Sequence, residues 1–460
     1  MIARSQRLHA RPELGDDSRR LVPEHEGQRL RHVAVDDVQI TGADAAGGDV
    51  DEHLALARSR QLYLEDLDRF ARAPQDRGLR LHRASVAGGT AYNRPMRAAV
   101  LREVDQAMSV EEVELAAPGP GEVEVRLSAA GVCHSDWNVV TGATSNPLPA
   151  VLGHEGAGIV TAVGDGVDSV AEGDHVVLSW LPACGRCFYC KQGRHVLCDV
   201  AMEDMFRGTL PGGALRLSQN GGPLYHYSYL SAFAERCVVP EGCCVKVRED
   251  APFEVAALVG CAVMTGYGAA VKRAAVQEGD VVAVFGAGGV GLSAVMGAKL
   301  AGAGAVVAID PVEFKRETAL ELGATHAIDP TSDDVVDALR ELTDGRGADS
   351  ALDTAGVPGV VAQAYAAVRR GGTVVAVGLP AEGLTADLPA SDIPREEKVV
   401  TGSFYGSCDP QVDMPVVLNL YMDGQLPLDR LVTRTYSLEE INEAFAAMNS
   451  GEVARAVITP

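Results

Sequence analysis

Residues 286–291 read Gly-Ala-Gly-Gly-Val-Gly, and their surroundings restrict the fold more than any other stretch of the chain. The apolar run 281–285 leads straight into them, and a helical pattern follows over 292–301. A second apolar run, 306–309, then ends on Asp310, 19 residues after Gly291. Such glycines are a weak signal in isolation. Between a strand and a helix, and answered by an acid at the tip of the next strand, they mark a dinucleotide site. Gly286 and Gly288 let the backbone turn sharply and approach a pyrophosphate held at the helix N-terminus, which Gly289 and Val290 open. Gly291 lets helix and strand pack closely. Asp310 is placed to accept hydrogen bonds from the adenosine ribose, and its charge repels a 2′-phosphate, so the expected cofactor is NAD rather than NADP.

The same alternation continues downstream. Helices are expected near 315–322, 334–342 and 360–368, with short strands at 327–328, 350–353 and 373–377, enough for a six-stranded doubly wound parallel sheet. The preceding part is different. From Met96 to about Gly173 it is β-rich, with strands expected at 98–101, 122–130 and 158–163, then at 175–178, and the chain returns to this domain at 234–240 and 245–247. Residues 199–230 are Gly-rich and polar and read as a long surface excursion. After residues 402–406 the chain turns back to the first domain and ends in a helix (438–448) and a strand (454–458). The expected division is a β-rich catalytic domain over 96–262, a nucleotide domain over 263–404 and a C-terminal return over 405–460.

Residues 1–95 stand apart, with fifteen Arg, fifteen acids, no Lys and no Cys. They are expected to be a disordered tail or a non-native extension, with Met96 the natural beginning. A net charge of −23 argues against nucleic acid and anionic membrane as partners and favours small molecules. The N-terminus lacks an apolar run of signal-peptide length, and the longest apolar region is broken by glycines and Lys299, so a cytoplasmic chain is expected.

Ten cysteines are too few for a disulfide scaffold in a chain of 460 residues, and their clustering points to metal. Cys184, Cys187, Cys190 and Cys198 have the spacing of a closed, structural four-thiolate zinc site. An iron–sulfur cluster fits less well, because the bacterial pattern has three residues before its last cysteine and a proline after it. Residues 131–155 offer a second set. Cys133 lies in Gly-Val-Cys-His-Ser-Asp and His154 in Gly-His-Glu, both flanked by acids able to orient them. Cys237, Cys243, Cys244 and Cys408 have no partners at recognisable spacing and are expected to be ordinary thiols.

Together these motifs give the chain from Met96 to Pro460 a resemblance to the zinc-dependent medium-chain alcohol dehydrogenases over essentially its whole length. The resemblance implies a GroES-like catalytic domain plus a Rossmann domain, two zincs per chain, NAD, and a small alcohol or aldehyde as substrate. A homodimer is also implied, because the excursion at 199–230 resembles that of dimeric members. By this resemblance Cys133, His154 and Cys261 are the ligands of the catalytic zinc, supported by Glu155 and Asp136, while Ser135 takes the alcohol's proton. His134, Val377, Lys315 and Arg455 join Gly286, Gly288, Gly291 and Asp310 at the dinucleotide. Trp180 is implied to project into the substrate pocket, where it favours slim primary or flat aromatic alcohols. Asn138 stands where many members carry a histidine that completes the proton path. Two other functions fit the same motifs: a thiol-dependent formaldehyde dehydrogenase acting on the glutathione or mycothiol adduct, and a zinc- and NAD-binding protein without turnover.

Overall fold

The computed structural model describes residues 93–380 and 383–460, so the expectation for residues 1–92 lies outside the described residues. The first strand, Arg94–Leu101, starts two residues ahead of Met96 and pairs antiparallel with Ser109–Leu115 from its first residue. These two strands form a closed barrel with Leu217–Gln219, Gly222–His226 and Ala150–Val151. The barrel corrects the expectation for 199–230. This segment contributes two barrel strands and buries Leu210, Leu217, Leu224, Tyr229 and Leu230. Its glycines and polar residues fall in the tight turns between short strands, which hid their periodicity.

A seven-stranded sheet lies next in the fold, in the order Cys244–Lys246, His175–Leu178, Gly156–Val163, Glu122–Gly131, Arg455–Thr459, Val432–Ser437, with Arg236–Pro240 also paired to Glu122–Gly131. The C-terminal strand therefore enters the sheet of the first part of the chain, setting Val457 opposite Gly131 and Ile458 opposite Ala130. That pairing carries Arg455 to residues 131–155.

The third sheet is six-stranded and all parallel, as expected, in the order His326–Ile328, Ala305–Ile309, Val281–Phe285, Ala348–Asp353, Val368–Ala376, Val399–Gly402, the last of these being a strand the sequence reading did not name. Its central strands are apolar on both faces, as a parallel sheet covered by helices requires. One continuous helix, Phe253–Arg273, links the sheets and runs through the division expected between 262 and 263. It is apolar enough for a membrane, yet 78% of its most apolar window is buried, as befits a core helix. Two π-helical turns interrupt it, Val259–Val263 and Ala269–Arg273. A π turn widens the helix and re-aims its side chains. Cys261 sits in the first.

Candidate active site

Cys133, His154, Glu155 and Cys261 each bring one ligand atom into a group whose members all lie within 4.8 Å of one another. Cys133 and His134 begin the short helix His134–Val140, His154 precedes the strand Gly156–Val163, and Cys261 arrives on the π turn. Asp136 is completely buried and accepts twice through Oδ1, from His154 Nδ1 at 3.0 Å and from the Gly153 amide at 3.0 Å. With Nδ1 committed as a donor, the imidazole presents the lone pair of Nε2. That nitrogen is buried without a hydrogen-bond partner. An orphaned imidazole nitrogen facing two sulfurs is what a divalent cation of the zinc type satisfies.

The electrostatics of the cluster agree. A hydrogen bond from Cys261 holds the Cys133 thiol well below its ordinary range despite burial, and the same contact pushes Cys261 up. Burial opposes charge on His154, but Asp136 and Cys133 outweigh it and draw its protonation upward. A cation bound among these groups would take that proton's place. Burial also pushes the Glu155 carboxyl upward, and Arg455 pulls it back. Ser135 Oγ lies 3.8 Å from Cys133 Sγ.

Cys184, Cys187, Cys190 and Cys198 form the second tight group. The chain wraps its own sulfurs: the amides of Cys184, Cys187 and Cys190 donate to the sulfurs of Cys198, Cys184 and Cys187 at 3.3, 3.4 and 3.5 Å. The Cys190 amide pulls Cys187 down to about 6, whereas burial pushes Cys190 up to about 12. Four thiols this close do not all ionise unless a cation joins them. The remaining four cysteines are buried outside both groups.

At the glycine turn, Gly286 has φ +90°, the left-handed region that favours glycine. A Cβ on Gly291 would fall 1.8 Å from the Gly286 carbonyl oxygen, so helix Gly289–Leu300 can approach its strand only with glycine there. A Cβ on Gly288 would meet nothing within 4 Å, which leaves that backbone open to a ligand. Asp310 accepts from the amides of Ala287 and Val312, both at 2.8 Å, and so ties the turn to the next strand. Val377 is buried directly after the strand Val368–Ala376, its amide donating to the Asp353 carbonyl at 2.8 Å. Arg455 is buried beside Gly289 and donates to Val132 O at 2.8 Å and to Glu155 Oε2 at 2.5 Å. It therefore touches the nucleotide turn and the metal cluster at once. Lys315 lies on the helix Glu313–Leu322, near Gly451.

The alcohol dehydrogenase GroES-like domain model matches residues 119–249, and the zinc-binding dehydrogenase model matches 289–422. The putative alcohol dehydrogenase D of Mycobacterium tuberculosis is 44% identical over 365 residues, which cover 78% of this chain and 98% of that protein. The chain belongs to the zinc-dependent medium-chain alcohol dehydrogenases. The NDMA-dependent alcohol dehydrogenase of Amycolatopsis methanolica is also 44% identical, over 79% of this chain and 98% of its own length. The crystal structure of benzyl alcohol dehydrogenase from Acinetobacter calcoaceticus superposes with a TM-score of 0.76 at 35% identity, covering 80% of this chain and 99% of that one.

Around the cluster, this alcohol dehydrogenase adds to Trp180 three aromatic residues that the sequence reading missed, Phe404, Tyr405 and Tyr227. Trp180 is 8% exposed and packs on Tyr405, ring centroids 4.2 Å apart, and edge-on against Phe404 at 5.3 Å. Tyr405 donates to the carbonyl of Gly260, next to Cys261. On the other side, Tyr227 donates to the carbonyl of Ser135 at 3.1 Å and sets its ring edge against His154, with centroids 5.7 Å apart. The aromatic run Tyr225, Tyr227, Tyr229 at the end of the segment 199–230, with Phe233 just beyond it, was the available signal for a buried segment.

Proposed function

We propose that this enzyme oxidises primary aliphatic or aromatic alcohols reversibly to aldehydes with NAD, using one catalytic and one structural zinc per chain. The observation that carries this reading is His154 Nε2, buried without a partner among the sulfurs of Cys133 and Cys261. Cys133, His154 and Cys261 would hold the catalytic zinc, and the four-cysteine group the structural one. When bound, the catalytic metal acts as a Lewis acid that makes the alcohol easier to deprotonate, and NAD accepts the hydride.

The chain's own groups do the rest. Asp136 locks the His154 tautomer, and Ser135 Oγ takes the proton leaving the alcohol. With Asn138 in place of a histidine, that proton passes onward through His134, water or the ribose hydroxyls. His134 is exposed, yet partial desolvation by the protein around its ring lowers its pKa and disfavours its charged form. Gly288, Gly289, Val290 and Arg455 receive the pyrophosphate, Asp310 and Lys315 the adenosine ribose, and Val377 flanks the cofactor. Trp180 narrows the substrate pocket with Phe404 and Tyr405, which favours slim or flat alcohols. A cytoplasmic homodimer completes the reading.

A substrate panel tests it. Ethanol, benzyl alcohol, and formaldehyde with glutathione or mycothiol are offered to zinc-replete protein with free NAD. A parallel series uses NDMA as acceptor, because the Amycolatopsis relative is named for it. NAD reduction with free alcohols is expected. Activity confined to the thiol adducts would overturn the substrate class, and a zinc-loaded protein inert to every alcohol would overturn the enzyme reading.

A further inference from the structure

The segment 227–233 is built unlike the rest of the barrel. Ser228, Tyr229 and Ser231 have φ of +49°, +65° and +53°, three non-glycine residues in the left-handed region within four positions. Such backbone persists only where its surroundings over-determine it. Here they do. The amides of Leu230 and Ser231 fold back onto Tyr227 O at 3.0 and 3.2 Å, and Ser231 Oγ receives the Tyr227 amide at 3.3 Å. Tyr229 is buried and bonds to the carbonyl of Ala201.

The turn so fixed makes four contacts with the metal cluster and the backbone that flanks it. The amides of Ala232 and Phe233 donate to Gly153 O at 2.8 Å and Leu152 O at 3.0 Å, holding the backbone immediately before His154. The approach is so close that a Cβ on Gly153 would lie 2.6 Å from the Phe233 amide nitrogen. The Tyr227 ring stands edge-on to the His154 ring, with an interplanar angle of 83°. Its hydroxyl reaches the carbonyl of Ser135, on the other half of the motif. Residues 131–136 and 153–155 are thus joined through one side chain from a third segment.

We propose that Tyr227 is a positioning residue, clamped by the strained turn that follows it, which fixes the distance between the Ser135 segment and the His154 ring. The inference rests on the reading that Cys133, His154 and Cys261 hold the catalytic zinc. Tyr227 acts through these groups, with no part in the proton transfer itself.

Tyr227→Phe keeps the ring and deletes the donor. Loss of one hydrogen bond of about 1 kcal/mol corresponds to about fivefold in a rate. In the zinc-replete enzyme, kcat for the preferred alcohol falls by about that factor while KM for NAD is unchanged. One of the two zincs passes to a chelator about fivefold faster, and the other leaves at its original rate. Ser231→Ala, which removes the cap on the Tyr227 amide, moves kcat and zinc release in the same direction and serves as the second variant. Wild-type values of both in either folded variant overturn the proposal, and so does a lowered Tm with kcat and zinc release unchanged, since that is a structural role alone. A wild-type protein that holds only the four-cysteine zinc fails differently: it overturns the metal assignment, and this inference with it.

Discussion

The Arg455 guanidinium lies 2.5 Å from Glu155 Oε2, and both side chains are buried. The pair joins the last strand of the chain to the metal motif, and Arg455 also packs on Gly289 where the nucleotide helix begins. Removing one member leaves the other charge buried without its partner, which costs about 3–5 kcal/mol. Arg455→Met should therefore destabilise the protein by that amount and raise KM for NAD. The double variant Arg455→Met/Glu155→Gln should recover part of the stability but not the NAD affinity. Urea unfolding and initial rates read the two effects separately.

The four-cysteine group is expected to be structural. Cys187→Ala should remove one zinc and lower Tm while the fraction that remains folded keeps its kcat. Metal analysis alongside a thermal melt checks this. A Cys187→Ala protein of normal Tm that has lost turnover would mean the two zinc sites have been exchanged.

The proposed NAD preference rests on Asp310. Replacing it with Gly or Ser removes the charge opposed to a 2′-phosphate, and kcat/KM for NADP should rise relative to NAD by at least about tenfold, or 1.4 kcal/mol. Because Asp310 also accepts the amides of Ala287 and Val312, some loss of stability should accompany the change. Measured rates with both cofactors decide the point.

His226 gives a pH dependence away from both metal groups. Its Nε2 accepts the Arg216 amide at 3.2 Å and its Nδ1 faces Ser231 Oγ at 3.3 Å, and burial pushes its pKa down to about 3. The unfolded chain protonates this histidine near pH 6.5. Between about 3 and 6.5 it therefore binds a proton that the native state does not, and stability falls as the pH is lowered through that window, by up to about 1.4 kcal/mol per unit. His226→Gln should be less stable at pH 7 yet lose less on acidification. Urea midpoints at pH 7 and pH 5 test the sign.

Much of this was legible in the sequence where the chemistry is local. The glycine turn at 286–291 and the spacing of Cys184, Cys187, Cys190 and Cys198 are set by stereochemistry within a few residues, so the chain carries them openly. Five of the six parallel strands followed from the alternation of apolar runs and helical periods, while Val399–Gly402 was not named. Cys261 is different, since its place beside Cys133 depends on a π turn that no local pattern announces, and only the family resemblance pointed to it. Tyr227 was missed altogether. It lies among short barrel strands whose turns are rich in glycine, and its partners Ser135 and His154 are distant in sequence. The helix Phe253–Arg273 concealed the boundary expected at 262 because one continuous element serves both sheets.

The assignment of Cys133, His154 and Cys261 to a catalytic zinc is tested most directly by the zinc content and benzyl alcohol-dependent NAD reduction of Cys261→Ala beside the wild type. The variant should fold, bind NAD, hold one zinc fewer and have no measurable turnover. A Cys261→Ala protein that keeps both zincs, or that turns over within roughly tenfold of wild type, would contradict that assignment.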